Sequence, residues 1–186
     1  MLRLLLLLVV TLVCPSLCAA PMAYTIDTDK TVIKLSWRAF GGIPSWANLK
    51  GVTGAVTLNP DNEFDDRINV SVPVATLRAS NNLLTWQLKS NMFFDAARYP
   101  TITFSSTRVV KLKEDHYRAF GTLTVRDLSR PVILEATLDP LPGEAIALHA
   151  TTAISRSAYK MDRFALVVDD RIAIAIDIQA KPSRDL

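Results

Sequence analysis

Arg171-Ile172-Ala173-Ile174-Ala175-Ile176-Asp177-Ile178-Gln179 is the stretch whose reading decides the fold. Isoleucine recurs at every second position, with Ala173, Ala175, Asp177 and Gln179 between. Successive side chains of a strand point to opposite faces, so this pattern predicts a strand with one apolar and one wetter face. The same period runs outward through the chain. Ile146, Leu148 and Ala150 form one such face, and Val132, Leu134, Ala136 and Leu138 another. Ala119, Gly121, Leu123 and Val125 precede them, and Ile102 and Phe104 come earlier still. Towards the start lie Ile68, Val70, Val72 and Val74, then Val52, Gly54, Val56 and Leu58, then Ile33, Leu35 and Trp37. Turn residues separate the runs at Asn59-Pro60-Asp61-Asn62, Tyr99-Pro100, Arg126-Asp127-Leu128-Ser129 and Pro140-Leu141-Pro142-Gly143,. About eight strands joined mostly by short turns predict an all-β, antiparallel, up-and-down sheet, closed as an eight-stranded barrel or split into a sandwich. Asn81 to Asn91 does not alternate. Its Leu83, Leu84, Trp86 and Leu88 predict one short helical segment closing an end of the barrel, with Asn81 or Asn82 near its N-cap,.

The chain has 186 residues, enough for one domain,. Its first part reads as a signal peptide over residues 1–23. Arg3 supplies the positive region, Leu4 to Val13 the apolar one, and cleavage is expected after Ala20 or Ala23,. Residues 24–186 then form the single domain. Both cysteines, Cys14 and Cys18, fall inside the leader, so the mature chain is expected to carry neither thiol nor disulfide,. An export signal without a mature cysteine fits a periplasm better than an extracellular space where small domains are stapled. The chain holds 21 basic and 18 acidic residues, with no basic cluster of the kind nucleic acid demands,. Arg108 to Lys113 alternates with apolar residues and reads as a solvated strand face.

Candidate chemistry is sparse. The imidazoles are His116, beside a hairpin, and His149, on the face opposite Leu148 and Ala150. Two remote imidazoles without a thiol do not make a tetrahedral zinc site. The pairs Asp65-Asp66 and Asp169-Asp170 sit at turns, where Asp bonds the local backbone. No Gly-x-Ser-x-Gly elbow or phosphate-binding glycine loop occurs. Neither an enzyme nor a cofactor or metal is expected from these residues.

Two motifs carry a family resemblance. Leu88-Lys89-Ser90-Asn91-Met92-Phe93-Phe94-Asp95 followed by Tyr99-Pro100-Thr101-Ile102-Thr103-Phe104 is one; Gly121-Thr122-Leu123-Thr124-Val125 with Arg130-Pro131-Val132 is the other. Together they resemble the YceI family, and the resemblance runs from Tyr24 to about Ala180. Two departures are visible. Leu84-Thr85-Trp86-Gln87-Leu88 stands where the family often has Arg-Asp-x-His-Leu. Ser155-Arg156-Ser157-Ala158-Tyr159-Lys160-Met161 keeps an Arg, an aromatic and a Met but lacks the acids and glycine common there. The resemblance implies a lipocalin-like barrel, exported to the periplasm, that binds polyisoprenoid or related amphipathic lipids.

Residues and resemblance together lead to one expectation: binding, transport or sequestration of an isoprenoid-type lipid, a polyprenyl or quinone tail, without bond chemistry. The expected ligand-binding residues are Leu35, Trp37, Val56, Val72, Trp86, Leu88, Phe93, Phe94, Phe104, Leu123, Leu134 and Ile174. If Phe93 and Phe94 are both extended, only one points inward. Trp86 and Leu88 are expected to cap the barrel. At the mouth, Arg78, Lys89, Arg98 or Arg156 are candidates to meet a polar headgroup. The alternative is a barrel filled by its own side chains, acting as a structural or stress-related interaction protein. A homodimer is compatible with either reading; an outer-membrane barrel fits poorly, since no aromatic girdles recur at strand ends.

Overall fold

Each alternating run pairs with its neighbours as an antiparallel strand, and three of the strands are broken once along their length. The computed structural model describes residues 21–59 and 62–183. Its strands are β1 (Met22–Ile26), β2 (Val32–Ala39), β3 (Ile43–Leu49), β4 (Thr53–Leu58), β5 (Arg67–Pro73) and β6 (Arg78–Ala79). After helix α1 (Asn82–Lys89) come β7 (Thr101–Lys113), β8 (His116–Val125), β9 (Leu128–Pro140), β10 (Ile146–Ser155) and β11 (Arg171–Pro182).

β1 and β2 lie end to end along one edge of β11, with Ile26 opposite Ala180 and Val32 opposite Asp177. A single turn at Thr28–Lys30 separates them, held by the Thr31 hydroxyl, which donates to the Asp27 carbonyl at 2.8 Å. β3 and β4 continue one another in the same way, as do β5 and β6. The eleven strands therefore make eight staves, each antiparallel to the next. β11 closes the ring, because its other edge pairs with β10 from Ser155↔Arg171 to Ile146↔Ala180. Closure leaves no long unpaired edge.

Of the barrel and the sandwich that the periodicity allows, this is the closed eight-stranded barrel, and each predicted run falls on a different stave. β1, β3 and β6 carry no clear period-two signal: Ile43-Pro44-Ser45-Trp46 does not alternate cleanly, β1 has five residues and β6 two. Of the predicted leader, residues 1–23, residues 1–20 lie outside the described residues, while Met22 and Ala23 of β1 pair with Leu58 and Thr57 of β4.

The isoleucines of β11 face inward and the intervening residues outward. The outer wall is polar and cross-strand paired: Arg118 to Glu135 at 2.7 Å, Ser105 to Asn69 at 2.7 Å, and the His149 Nδ1 to Asp177 at 2.6 Å. A membrane-spanning barrel shows the reverse arrangement, apolar outside. Among the described residues no helix is long and apolar enough to cross a membrane.

The two ends differ. At one, residues 59, 62–66, 114–115 and 141–145 lie over a packed floor of Tyr24, Ile26, Val56, Ile146 and Ala180, all buried. At the other, the connections 40–42, 74–100, 126–127 and 156–170 surround a mouth.

Gly54 shows how tightly β4 and β5 approach. Its φ is +147°, and a Cβ there would lie 2.0 Å from the Asn69 carbonyl oxygen. Gly54→Ala is expected to lower the unfolding free energy by more than about 3 kcal/mol, since both strain and backbone separation are required. Gly143, at φ +74° with nothing within 4 Å of its added Cβ, should lose only about 1 kcal/mol as alanine. Urea unfolding midpoints of the two variants check the contrast.

Candidate functional site: an apolar cavity with a polar mouth

The inward faces of the staves do not meet across the barrel, and a cavity of about 640 Å³ remains above the floor. Its deep wall is hydrocarbon: Ile33, Ile68, Ala136, Leu148, Ile176 and Ile178. The polar side chains of its wall, Ser45, Ser80, Asn81, Gln87, Thr152 and Arg156, belong to the half nearer the mouth.

Helix α1 lies across that mouth. Asn81 caps it, its side-chain oxygen accepting the Leu84 amide at 2.8 Å as predicted for an N-cap,. The Thr85 hydroxyl accepts the Ala79 amide at 2.9 Å and ties the helix to β6. Leu84, Gln87 and Leu88 turn to the cavity. Trp86 does not: it sits on the outer face of the helix, 64% exposed. The expectation that Trp86 contributes to the cavity wall is therefore corrected, because helical spacing carries Trp86 away from the side shared by Leu84 and Leu88.

Phe93 and Phe94 both line the cavity. They occupy successive turns, with the Phe93 amide donating to Ser90 O and the Phe94 amide to Leu88 O, and Asp95 follows at φ +50°. The extended backbone on which only one would face inward is absent. Leu35, Trp37, Val72, Leu88, Phe104, Leu123, Leu134 and Ile174 also stand on the wall. Val56 does not, since it is fully buried in the floor beneath the cavity. Phe104 depends on Gly121 across β7 and β8: a Cβ at Gly121 would come within 2.6 Å of the Phe104 ring. Wall residues that lie on loops, Phe40 and Phe164 among them, carry no periodic signal by which sequence reasoning finds them.

The 156–170 connection is held by one cation. Arg156 is 3% exposed, and its guanidinium donates to the carbonyls of Met161, Arg163, Val168 and Asp169. Four of its five N–H donors thus bind the loop, so its main role differs from the headgroup contact considered above. Tyr159 packs beneath the loop, and burial pushes its phenol pKa up. Phe164 stacks on Phe93 with centroids 6.4 Å apart and bridges two sides of the mouth. Arg78, Lys89 and Arg98 sit outside the cavity wall. The first two donate to carbonyls of the 75–77 segment, and Arg98 lies over the Tyr99 ring. Burial, with Arg78 nearby, lowers the pKa of Lys89. His149 is exposed between Asp177 and Asp139 on the outer wall. Among the described residues no group of three or more His, Cys, Asp or Glu is placed to hold a metal ion.

Two tests probe the loop anchor. Arg156→Met would strand several buried carbonyls and should cost more than about 3 kcal/mol, with Arg156→Lys a poor rescue because one ammonium cannot span the fork. Thermal unfolding measures both. Asp170 accepts the Ser157 amide at 2.9 Å. Hydrogen bonds from Ser155, then from Ser157, lower its pKa below the ordinary 3.8. A lowered folded pKa means that this stabilisation is complete above the ordinary value and is lost as pH falls through the lower one. The Ser157 amide chemical shift should therefore titrate with a midpoint below 3.8, and Asp170→Asn should abolish the titration.

A YceI-like domain model matches residues 24–180. The chain is 28% identical to protein YceI of Salmonella newport over 139 residues, 71% of this chain and 72% of that one. It is 30% identical to a UPF0312 protein of Photorhabdus laumondii, where the match covers 59% of this chain and 60% of the relative. Among solved structures, Burkholderia cenocepacia BcnA superposes with a TM-score of 0.76 at 19% identity, covering 83% of this chain and 98% of that one. A polyisoprenoid-binding domain from Saccharophagus degradans superposes with a TM-score of 0.68 at 9% identity, covering 87% and 99%. At those identities the structures speak for a shared barrel fold. The family model, spanning nearly all of the described barrel, speaks for descent: the chain belongs to the YceI-like family.

Proposed function

We propose that this barrel binds a long apolar tail, of the polyprenyl or quinone type, and carries or sequesters it in the periplasm without bond chemistry. The observation that carries the reading is the gradient along the cavity, from a hydrocarbon deep wall to polar side chains at the mouth. An amphipathic lipid has the same polarity, tail in and head out. A related domain described as polyisoprenoid-binding adds support. The proposal includes export by the leader with cleavage after Ala20, since a cut after Ala23 would remove the first two paired residues of β1.

Magnitudes favour a long tail. At about 0.8 kcal/mol per buried CH₂, three isoprene units give about 12 kcal/mol gross. Association costs about 4–15 kcal/mol, so one unit would not hold and several would. The cavity lies inside the range of roughly 300–1,000 Å³ typical of small-molecule sites. A barrel filled by its own side chains, the competing reading, would leave no such space.

Organic extraction of the purified protein followed by mass spectrometry tests the proposal. A stoichiometric prenyl lipid is the expected result; an empty extract together with no uptake of added prenyl lipids would sink it. Ala150→Phe, which fills the deep wall, should weaken uptake at least about tenfold by displacing several buried methylenes. Trp86→Ala, outside the cavity, should leave it unchanged.

A further inference from the structure

The mouth differs from the rest of the surface in two independent ways. The first is apolar exposure. Phe40, Ile43, Leu83, Trp86, Phe164 and Leu166 are 66%, 59%, 68%, 64%, 49% and 100% exposed. They come from three separate places, the 40–42 connection with the first residue of β3, helix α1 and the 156–170 connection, and all stand at one end of the barrel. Of the exposed apolar residues elsewhere, Trp46 and Ile133 lie on the side of the barrel, and the closed end carries three, Met22, Phe64 and Leu112, half as many as those six at the mouth.

The second is charge. The mouth connections and their flanks, 38–43, 74–100, 126–130 and 156–171, hold ten arginines and lysines against five aspartates. The connections at the closed end, 62–67, 113–116 and 139–145, hold two basic residues against seven acidic ones. Among the described residues, no ion pair forms within these mouth segments; Arg38, Arg78, Lys89 and Arg126 donate to backbone carbonyls instead. Formal charge is therefore divided along the barrel axis, and the positive end is the one that exposes more hydrocarbon.

We propose that the mouth docks on an anionic lipid bilayer, with the apolar rim entering the interface and the basic collar meeting the headgroups. A second copy of this chain is the poorer partner, because apposing two mouths would also appose two positive ends. An anionic bilayer matches both features at once, as for interfacial segments that combine aromatic and leucine anchors with lysine and arginine. The closed end, with the opposite charge, would be repelled, so the encounter is oriented. This inference concerns where the barrel meets membrane and goes beyond tail binding; a tail would then move between bilayer and cavity without crossing water.

The test uses protein purified after expression of the full chain and vesicles of phosphatidylcholine with or without about one-third phosphatidylglycerol. Co-sedimentation should be at least about tenfold stronger with the anionic vesicles at low salt, and should weaken as salt is raised. Trp86 fluorescence should shift to the blue on binding, and Trp86→Phe should remove that shift. W86E/L166E, which alters the rim outside the cavity wall, should lose vesicle binding about tenfold or more while still taking up a prenyl lipid from detergent solution. K160E/R163E should lose most of the preference for anionic vesicles. Equal binding to neutral and anionic vesicles overturns the proposal, as does no binding, or a mouth-to-mouth dimer that the rim variant dissociates. Failure of the unmodified protein to take up lipid from detergent would count against tail binding, and vesicle docking is read separately from it.

Discussion

Everything in this molecule depends on β11 being paired along both edges. Its inner edge runs with β10 over ten successive residues, and its other edge is shared between β1 and β2. A sheet of this length left open would present two rows of unpaired amides and carbonyls and one uncovered apolar face. Closure removes both problems, because the apolar face becomes an interior and the edges disappear. The cost is that β1 and β2 must step around the turn at Thr28–Lys30 to stay in register with one strand, and the same break recurs in the next two staves. Those breaks belong to the side of the barrel where the staves are assembled from short strands.

Closure also creates the cavity. Inward residues on the deep wall are of moderate size, including Ala119, Ala136 and Ala150, so opposing side chains leave space between them. Larger groups gather at the two ends. Tyr24 and its neighbours fill the floor, while Phe93, Phe94, Phe164 and helix α1 crowd the mouth. Arg156 completes this arrangement by binding four carbonyls of a loop that has little regular structure of its own. A buried guanidinium is costly to desolvate, and dense hydrogen bonding to carbonyls is what makes it tolerable there. The loop that carries Phe164 and Leu166 is thus fixed at its root and free to expose its tip.

Period two, turn residues and length were sufficient to establish an all-β antiparallel sheet with one short helix, because a strand reports its buried face directly in the chain; they left barrel and sandwich open, and the family resemblance pointed to the barrel. Most of the wall was legible by the same rule: Leu35, Val72, Leu134 and Ile174 face inward because their parity says so. Three things lay beyond that rule. Val56 has the right parity but the wrong height, and height along a barrel follows from how the staves are staggered. Trp86 and Leu88 are two residues apart, so α1 sends them in different directions, a matter of how the helix is seated. Phe93 and Phe94 escape the alternation because their backbone turns, and the rim residues Phe40, Phe164 and Leu166 meet at one end only because the chain folds two distant connections to the same place. Local patterning determined which side chains are buried; only the closed tertiary structure decided how deep each one lies, since depth depends on pairings between residues far apart in sequence.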